Sequence, residues 1–225
     1  MAAKPPWRGV LFDLDGTLLD TAPDLAVACN TASAEFGLRP QPLEALRPSV
    51  TYGASAMLLQ VLAADPQDVD FDSLLQRMLC LYEENIAVQT RFFEGMDIVL
   101  DELEARGLRW GIVTNKHARF TDPLLRQLDL HSRSGCVISG DTLAECKPHP
   151  LPMLEACRRI GAAPQASVYV GDARRDIEAG QNAGMATLAA LYGYVPDDDP
   201  AHGWGADGLL GQPLDLLAWL DGEGA

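Results

Sequence analysis

An α/β fold, built on a buried parallel sheet flanked by helices and interrupted by an inserted helical segment, is predicted by three features of this 225-residue chain. Short, evenly apolar runs recur at residues 9–12, 108–113, 136–138, 167–170 and 186–191, the pattern of strands covered on both faces. Helical periodicity separates the later runs, as strand–helix–strand connections require. Between Thr21 and about Arg91 the periodicity stays helical with no strand-like run, which marks the insertion.

The first strand runs directly into Phe12-Asp13-Leu14-Asp15-Gly16-Thr17. Ligands of open α/β sheets collect at the carboxyl ends of strands, so two carboxylates there are placed for a site rather than a core. Asp13 and Asp15 are two residues apart and project from the same side of an extended backbone, while Gly16 permits a tight turn whose amides face an anion. Thr21-Ala-Pro-Asp24 has the form of a capping box and opens a helix toward Phe36 that stops at Gly37. Phe71, Leu74, Leu75, Met78, Leu79 and Tyr82 mark another amphipathic helix, with linkers to the insertion near residues 19–20 and 90–93.

Met96, Val99, Leu100 and Leu103 form the next helical stripe, with Gly107 as its C-terminal cap; the strand that follows ends in Thr114-Asn115. Met153, Leu154, Cys157 and Ile160 form a further stripe, closed by Gly161, and lead to a strand ending in Gly171-Asp172-Ala-Arg-Arg-Asp176. Between these strands lies Lys147-Pro148 in an otherwise lysine-free region. Taken singly, Thr-Asn reads as a turn, Gly-Asp as a helix cap and Lys-Pro as a solvated loop. Their fixed order, each after a strand or loop, points to one site.

Composition narrows the function. With 48% hydrophobic and 22% charged residues, the chain is globular rather than disordered or coiled-coil. A net charge of -15 repels nucleic acid and anionic lipid, so an anionic substrate needs a few placed cations and a metal. There are only three lysines, Lys4, Lys116 and Lys147. Five cysteines without C-x-x-C spacing suggest reduced thiols; with no room for a signal peptide before the first strand and no apolar run of bilayer length, the expected location is cytoplasmic.

In order and spacing, Asp13-x-Asp15-Gly16-Thr17, Thr114, Lys147 and Gly171-Asp172-x-x-x-Asp176 resemble the four motifs of the haloacid dehalogenase-like phosphatase superfamily. The resemblance covers nearly the whole chain and implies a Rossmann-like parallel sheet core, formed by residues 1–20 and 91–225, with an inserted all-helical cap of residues 21–90. It also implies a nucleophile at Asp13, an acid–base at Asp15, and phosphate contacts from Thr114, Asn115 and Lys147. Mg²⁺ would be held by Asp13, the Asp15 main-chain carbonyl and Asp172, with Asp176 binding or orienting its outer shell. The charge argument agrees, because a doubly anionic phosphate monoester repels an incoming carboxylate unless a divalent metal and a cation neutralise it.

Asp15 is unnecessary for a dehalogenase, and the lysine-free insertion lacks the Schiff-base lysine of a phosphonate hydrolase, so the expected activity is hydrolysis of a small phosphorylated metabolite through an aspartyl-phosphate. A phosphosugar mutase and a non-enzymatic phospho-ligand module remain alternatives, and the oligomeric state stays open. Leu18-Leu-Asp-Thr-Ala-Pro-Asp24 is similar to phosphoglycolate phosphatases; Phe93-Glu-Gly-Met96, Trp110 to Lys116, and Tyr192-Gly-Tyr194 are similar to N-acetylmuramic acid 6-phosphate phosphatases. Either substrate carries a carboxylate beside its phosphate, so a cap arginine is expected to bind it. Arg47 is the candidate, with Thr51 and Gly53 in the same loop; Lys116 is a further candidate for substrate contact.

Overall fold

The computed structural model describes residues 7–222. The expected lack of a signal peptide rests on residues before these, and Lys4 also lies outside them. In chain order the elements are β1 (Gly9–Phe12), β2 (Leu19–Asp20), α1 (Ala22–Glu35), α2 (Leu43–Leu46), a 3-10 turn (Arg47–Tyr52), α3 (Ala54–Ala64), α4 (Phe71–Glu84) and β3 (Arg91–Phe92). There follow α5 (Met96–Ala105), β4 (Arg109–Val113), α6 (Ala118–Gln127), α7 (Leu130–Arg133), β5 (Val137–Ile138), α8 (Leu151–Ile160) and β6 (Ser167–Gly171). The last are α9 (Arg174–Asn182), β7 (Ala186–Ala190), β8 (Gly208–Leu210) and α10 (Asp215–Asp221), with short 3-10 turns at Pro164–Ala166 and Ala201–Gly203.

Six parallel strands form one sheet in the order β5-β4-β1-β6-β7-β8. That is the doubly wound order in which the chain grows outward from β1 on one side, then crosses to the other, leaving a crevice at the carboxyl ends of β1 and β6. Alternate residues of β1 serve opposite layers. Val10 and Phe12 belong to the same buried cluster as Met96, Val99 and Leu103 of α5, whereas Leu11 belongs to that of Met153, Cys157 and Ile160 of α8.

The sixth strand, β8, escaped the sequence reading. It has three residues, and Leu209 is exposed at the sheet edge, so the segment never looks like a buried run. In α8 the buried residues are Pro152, Met153, Ala156, Cys157 and Ile160, while Leu154 is 43% exposed, so Ala156 takes the place expected for Leu154 in the stripe.

Helices α1 to α4 leave and return through β2 and β3, which pair antiparallel with Leu19 opposite Phe92. The expected capping box does not form. Thr21 gives its hydroxyl to Asp15 at 2.5 Å, and Asp24 instead accepts the Gln89 and Thr90 amides at 2.8 and 2.9 Å and the Thr90 hydroxyl at 2.7 Å. Longer-range partners win over the local motif, and they tie the first turn of α1 to the segment that closes the insertion. On α4, Leu74, Met78, Leu81 and Tyr82 are buried, as an amphipathic helix demands. No helix among the described residues is long and apolar enough to cross a membrane. All five cysteines are free, with Cys29, Cys136 and Cys157 buried and Cys80 and Cys146 exposed.

Candidate active site

Register builds the site. Phe12 lies level with Ile112 of β4 and Val170 of β6, so Asp13, Thr114 and Asp172 leave three adjacent strands within two residues of the same level. Asp176 joins them from the first turn of α9, where its Oδ2 accepts the Ala173 amide at 3.0 Å.

Asp13, Asp172 and Asp176 are all buried, and each offers an oxygen within 4.8 Å of the others. Lys147 reaches in from the loop before α8, its Nζ 2.8 Å from Asp13 Oδ1 and 2.8 Å from Asp176 Oδ1. The same ammonium donates to the Val113 carbonyl and the Tyr169 hydroxyl, each at 2.9 Å. Asn115 holds the loop: its Nδ2 donates to the Lys147 carbonyl at 2.9 Å, and its Oδ1 accepts the Lys147 amide at 3.0 Å.

Burial raises the Asp13 carboxyl above its usual range, Lys147 pulls it back, and the Asp176 charge pushes it up again. Burial likewise raises Asp172 well above the ordinary value, with Asp13 and Asp176 adding repulsion. Lys147 and the nearby Arg175 guanidinium together are therefore too little positive charge for three buried carboxylates. Asp13 Oδ1 and Asp176 Oδ1 accept no well-directed hydrogen bond despite their ionic contacts with Lys147. A set of hard oxygen donors, without sulfur or imidazole and short of positive charge, fits Mg²⁺.

Asp15 stands apart from this triad. Its Oδ1 accepts from the Thr21 hydroxyl at 2.5 Å and pairs with Lys116 Nζ at 2.9 Å, so its side chain is engaged away from the three clustered carboxylates. Lys116 is largely buried and sits 4.6 Å from the Tyr82 ring centroid. Burial opposes its charge, but Asp15 more than offsets this and raises the ammonium above its usual range.

Asp172 is braced from behind. Its Oδ1 accepts from the Thr17 hydroxyl at 3.2 Å and its Oδ2 from the Tyr194 amide at 2.8 Å. Gly16 has φ +84°, and a Cβ there would collide with this carboxylate; a Cβ on Gly193 would collide with the Gly16 carbonyl and the Asp172 side chain. Gly193→Ala is therefore expected to displace Asp172 and raise the Mg²⁺ concentration for half-maximal activity by about 10–100-fold, measured by metal titration alongside a thermal melt.

A cleft of about 420 Å³ opens over Asp13 and Asp15, between the carboxyl ends of the sheet and the helical insertion. Thr114, Asn115, Lys116, Thr51 and Gly53 line it, and Leu75, Leu79, Tyr82 and Phe120 give it an apolar wall. Arg47 does not line it. Arg47 Nη1 and Nη2 bind both oxygens of Asp20 at 2.8 and 3.1 Å, and Asp20 Oδ1 also accepts the Tyr194 hydroxyl at 2.6 Å. The neighbouring carboxylate of β2 captures the guanidinium, so the expectation for Arg47 is corrected. Arg175, which the sequence reading passed over, lines the cleft. Its position three residues after Asp172 and one before Asp176 was the available signal.

The family model for haloacid dehalogenase-like hydrolases matches residues 10–190. An N-acetylmuramic acid 6-phosphate phosphatase of Pseudomonas putida is 41% identical over 214 residues, covering 95% of this chain and 96% of its own. A phosphoglycolate phosphatase of Xanthomonas campestris is 46% identical over 215 residues, covering 94% and 97%. The crystal structure of a predicted phosphoglycolate phosphatase from Haemophilus somnus superposes with a TM-score of 0.85 at 25% identity, covering 96% of this chain and 99% of that one.

Proposed function

Since the chain belongs to the haloacid dehalogenase-like hydrolase family, we propose that it is a Mg²⁺-dependent phosphatase of a small metabolite, working through an aspartyl-phosphate on Asp13. The observation that carries this reading is the convergence of Asp13, Lys147, Asp172 and Asp176 beneath a cleft that also holds Asp15.

An Asp13 carboxylate oxygen attacks phosphorus as the bond to the leaving oxygen breaks, and Asp15 gives that oxygen its proton. Water then attacks the phosphorus of the aspartyl-phosphate, Asp15 takes the water's proton, and Asp13 is regenerated with release of inorganic phosphate. Lys147 neutralises phosphoryl charge, while the Thr114 hydroxyl, which already accepts the Lys116 amide at 3.1 Å, has its own proton to donate. Lys116 and Thr21 fix the Asp15 carboxyl on the cleft. Asp13, Asp172 and Asp176 would hold Mg²⁺, with the Asp15 carbonyl as a further ligand; when bound, the metal supplies the positive charge that lets an anionic nucleophile approach an anionic phosphoryl group.

Residues 21–90 act as a cap on a core formed by residues 1–20 and 91–225. The support is the β2–β3 crossing and the position of the cleft beneath Thr51, Leu75 and Tyr82. Phosphoglycolate and N-acetylmuramic acid 6-phosphate, the substrates named for the relatives, are the candidate substrate types. Three buried free thiols and the net charge of -15 support a reducing, cytoplasmic setting away from nucleic acid and anionic membrane. Phosphate release from these two esters and from hexose phosphates, with Mg²⁺ and with a chelator, tests the reading. Turnover that survives complete chelation contradicts the metal assignment.

Metal binding also has a pH signature. In the metal-free protein Asp13 and Asp172 have carboxyl groups raised above their unfolded values, so their protonated forms favour folding, and stability is lost as pH rises through the raised values. Mg²⁺ relieves that loss and competes with protons for the same oxygens. Saturating Mg²⁺ is expected to raise Tm by about 5–10 °C near neutral pH, with an increment that shrinks toward acid pH, measured by calorimetry of chelated and reloaded protein.

A further inference from the structure

The cleft holds a guanidinium, though not the one expected from the sequence. Arg175 opens α9 one residue before Asp176 and lines the cleft beside Thr51. Its Nη2 donates to the Thr51 carbonyl at 2.6 Å, which places the guanidinium on the side of the cleft formed by the insertion. Its Nε is buried and has no partner. A guanidinium offers five N–H donors in a rigid fork, and a buried donor left unpaired is costly unless a ligand completes it. Arg175 is therefore a preorganised cation facing an open cleft.

Lys147 and Thr114 already serve the phosphoryl end of the cleft. The Thr51 bond holds Arg175 against the insertion, the side toward which the remainder of a substrate extends from the phosphoryl group. A carboxylate presents two coplanar acceptors that match the guanidinium fork. We propose that Arg175 is the specificity-determining residue of this hydrolase, binding a carboxylate on the leaving portion of the substrate and so selecting phosphate monoesters that carry this second anionic group. The proposal rests on the phosphatase reading above. Arg119, the other arginine on the cleft, is an exposed residue whose guanidinium lies 4.3 Å from the Phe120 ring centroid; solvent screens it.

Matched ester pairs test this: N-acetylmuramic acid 6-phosphate against N-acetylglucosamine 6-phosphate, and phosphoglycolate against 2-hydroxyethyl phosphate. Each pair differs in whether the leaving portion bears a carboxylate. The wild-type protein is expected to favour the carboxylate member of the pair it hydrolyses. In Arg175→Met the ratio of kcat/KM values should fall by about 50–100-fold, chiefly through KM, and Arg175→Lys should restore only part of it. In Arg47→Met and Arg119→Met the ratio should stay within about fivefold of wild type. Because the ratio is taken within one protein preparation, partial unfolding cancels from it. An unchanged ratio in Arg175→Met, an equal fall for both members, a collapse in Arg119→Met instead, or no wild-type preference overturns the proposal. Wild-type inactivity with Mg²⁺ present on all four esters and on the hexose phosphates above overturns the phosphatase reading itself.

Discussion

Asp13→Asn is expected to lower kcat by at least about 10⁴-fold while the protein stays folded. The amide matches the carboxylate in shape but cannot attack phosphorus, so the loss should fall on turnover rather than on substrate capture. Folding should survive because Asp13 is a liability in the metal-free protein: its carboxyl is buried and raised above the usual range. Removing that charge leaves Asp172 and Asp176 with one fewer repelling neighbour. Steady-state kinetics together with a denaturant melt separates the two effects. Substantial residual turnover, or a collapse of the fold, would remove Asp13 from the role given to it.

Lys147→Met is expected to damage both activity and stability. The ammonium is almost wholly inaccessible and contacts Asp13, Asp176, the Val113 carbonyl and the Tyr169 hydroxyl at 2.8–2.9 Å. Breaking a buried pair from one side leaves uncompensated charge and costs about 3–5 kcal/mol, which should appear as a lower urea midpoint. Loss of phosphoryl neutralisation should reduce kcat/KM by about 10²–10³-fold. Mg²⁺ should recover part of the stability, since it neutralises the same carboxylates, and little of the activity. A Lys147→Met variant as stable as wild type without metal would mean that the ammonium does not neutralise the triad.

The parallel core was legible because strands buried on both faces leave apolar runs that periodicity cannot disguise, as at residues 9–12 and 167–170. The edge strand Gly208–Leu210 was not, since an exposed Leu209 and a length of three residues leave no such mark. Residues at strand ends were legible for a related reason: register alone brings Asp13, Thr114 and Asp172 to one level. Side-chain partnerships across the insertion were hidden. Thr21 and Asp24 form a capping box on paper, yet Asp15 and Thr90 are better partners in three dimensions. Arg47 and Arg175 show the same limit, because composition counts arginines without showing which one a neighbouring carboxylate has taken.

The most direct test of covalent catalysis is to quench the wild-type protein in acid during turnover, reduce it with borohydride, and map the modified residue by mass spectrometry. An aspartyl-phosphate on Asp13 is reduced to homoserine, so homoserine at position 13, dependent on substrate and absent from Asp13→Asn, is the predicted result. Reduction at any other carboxylate, or phosphate release with Asp13 unmodified at every quench time, would contradict it.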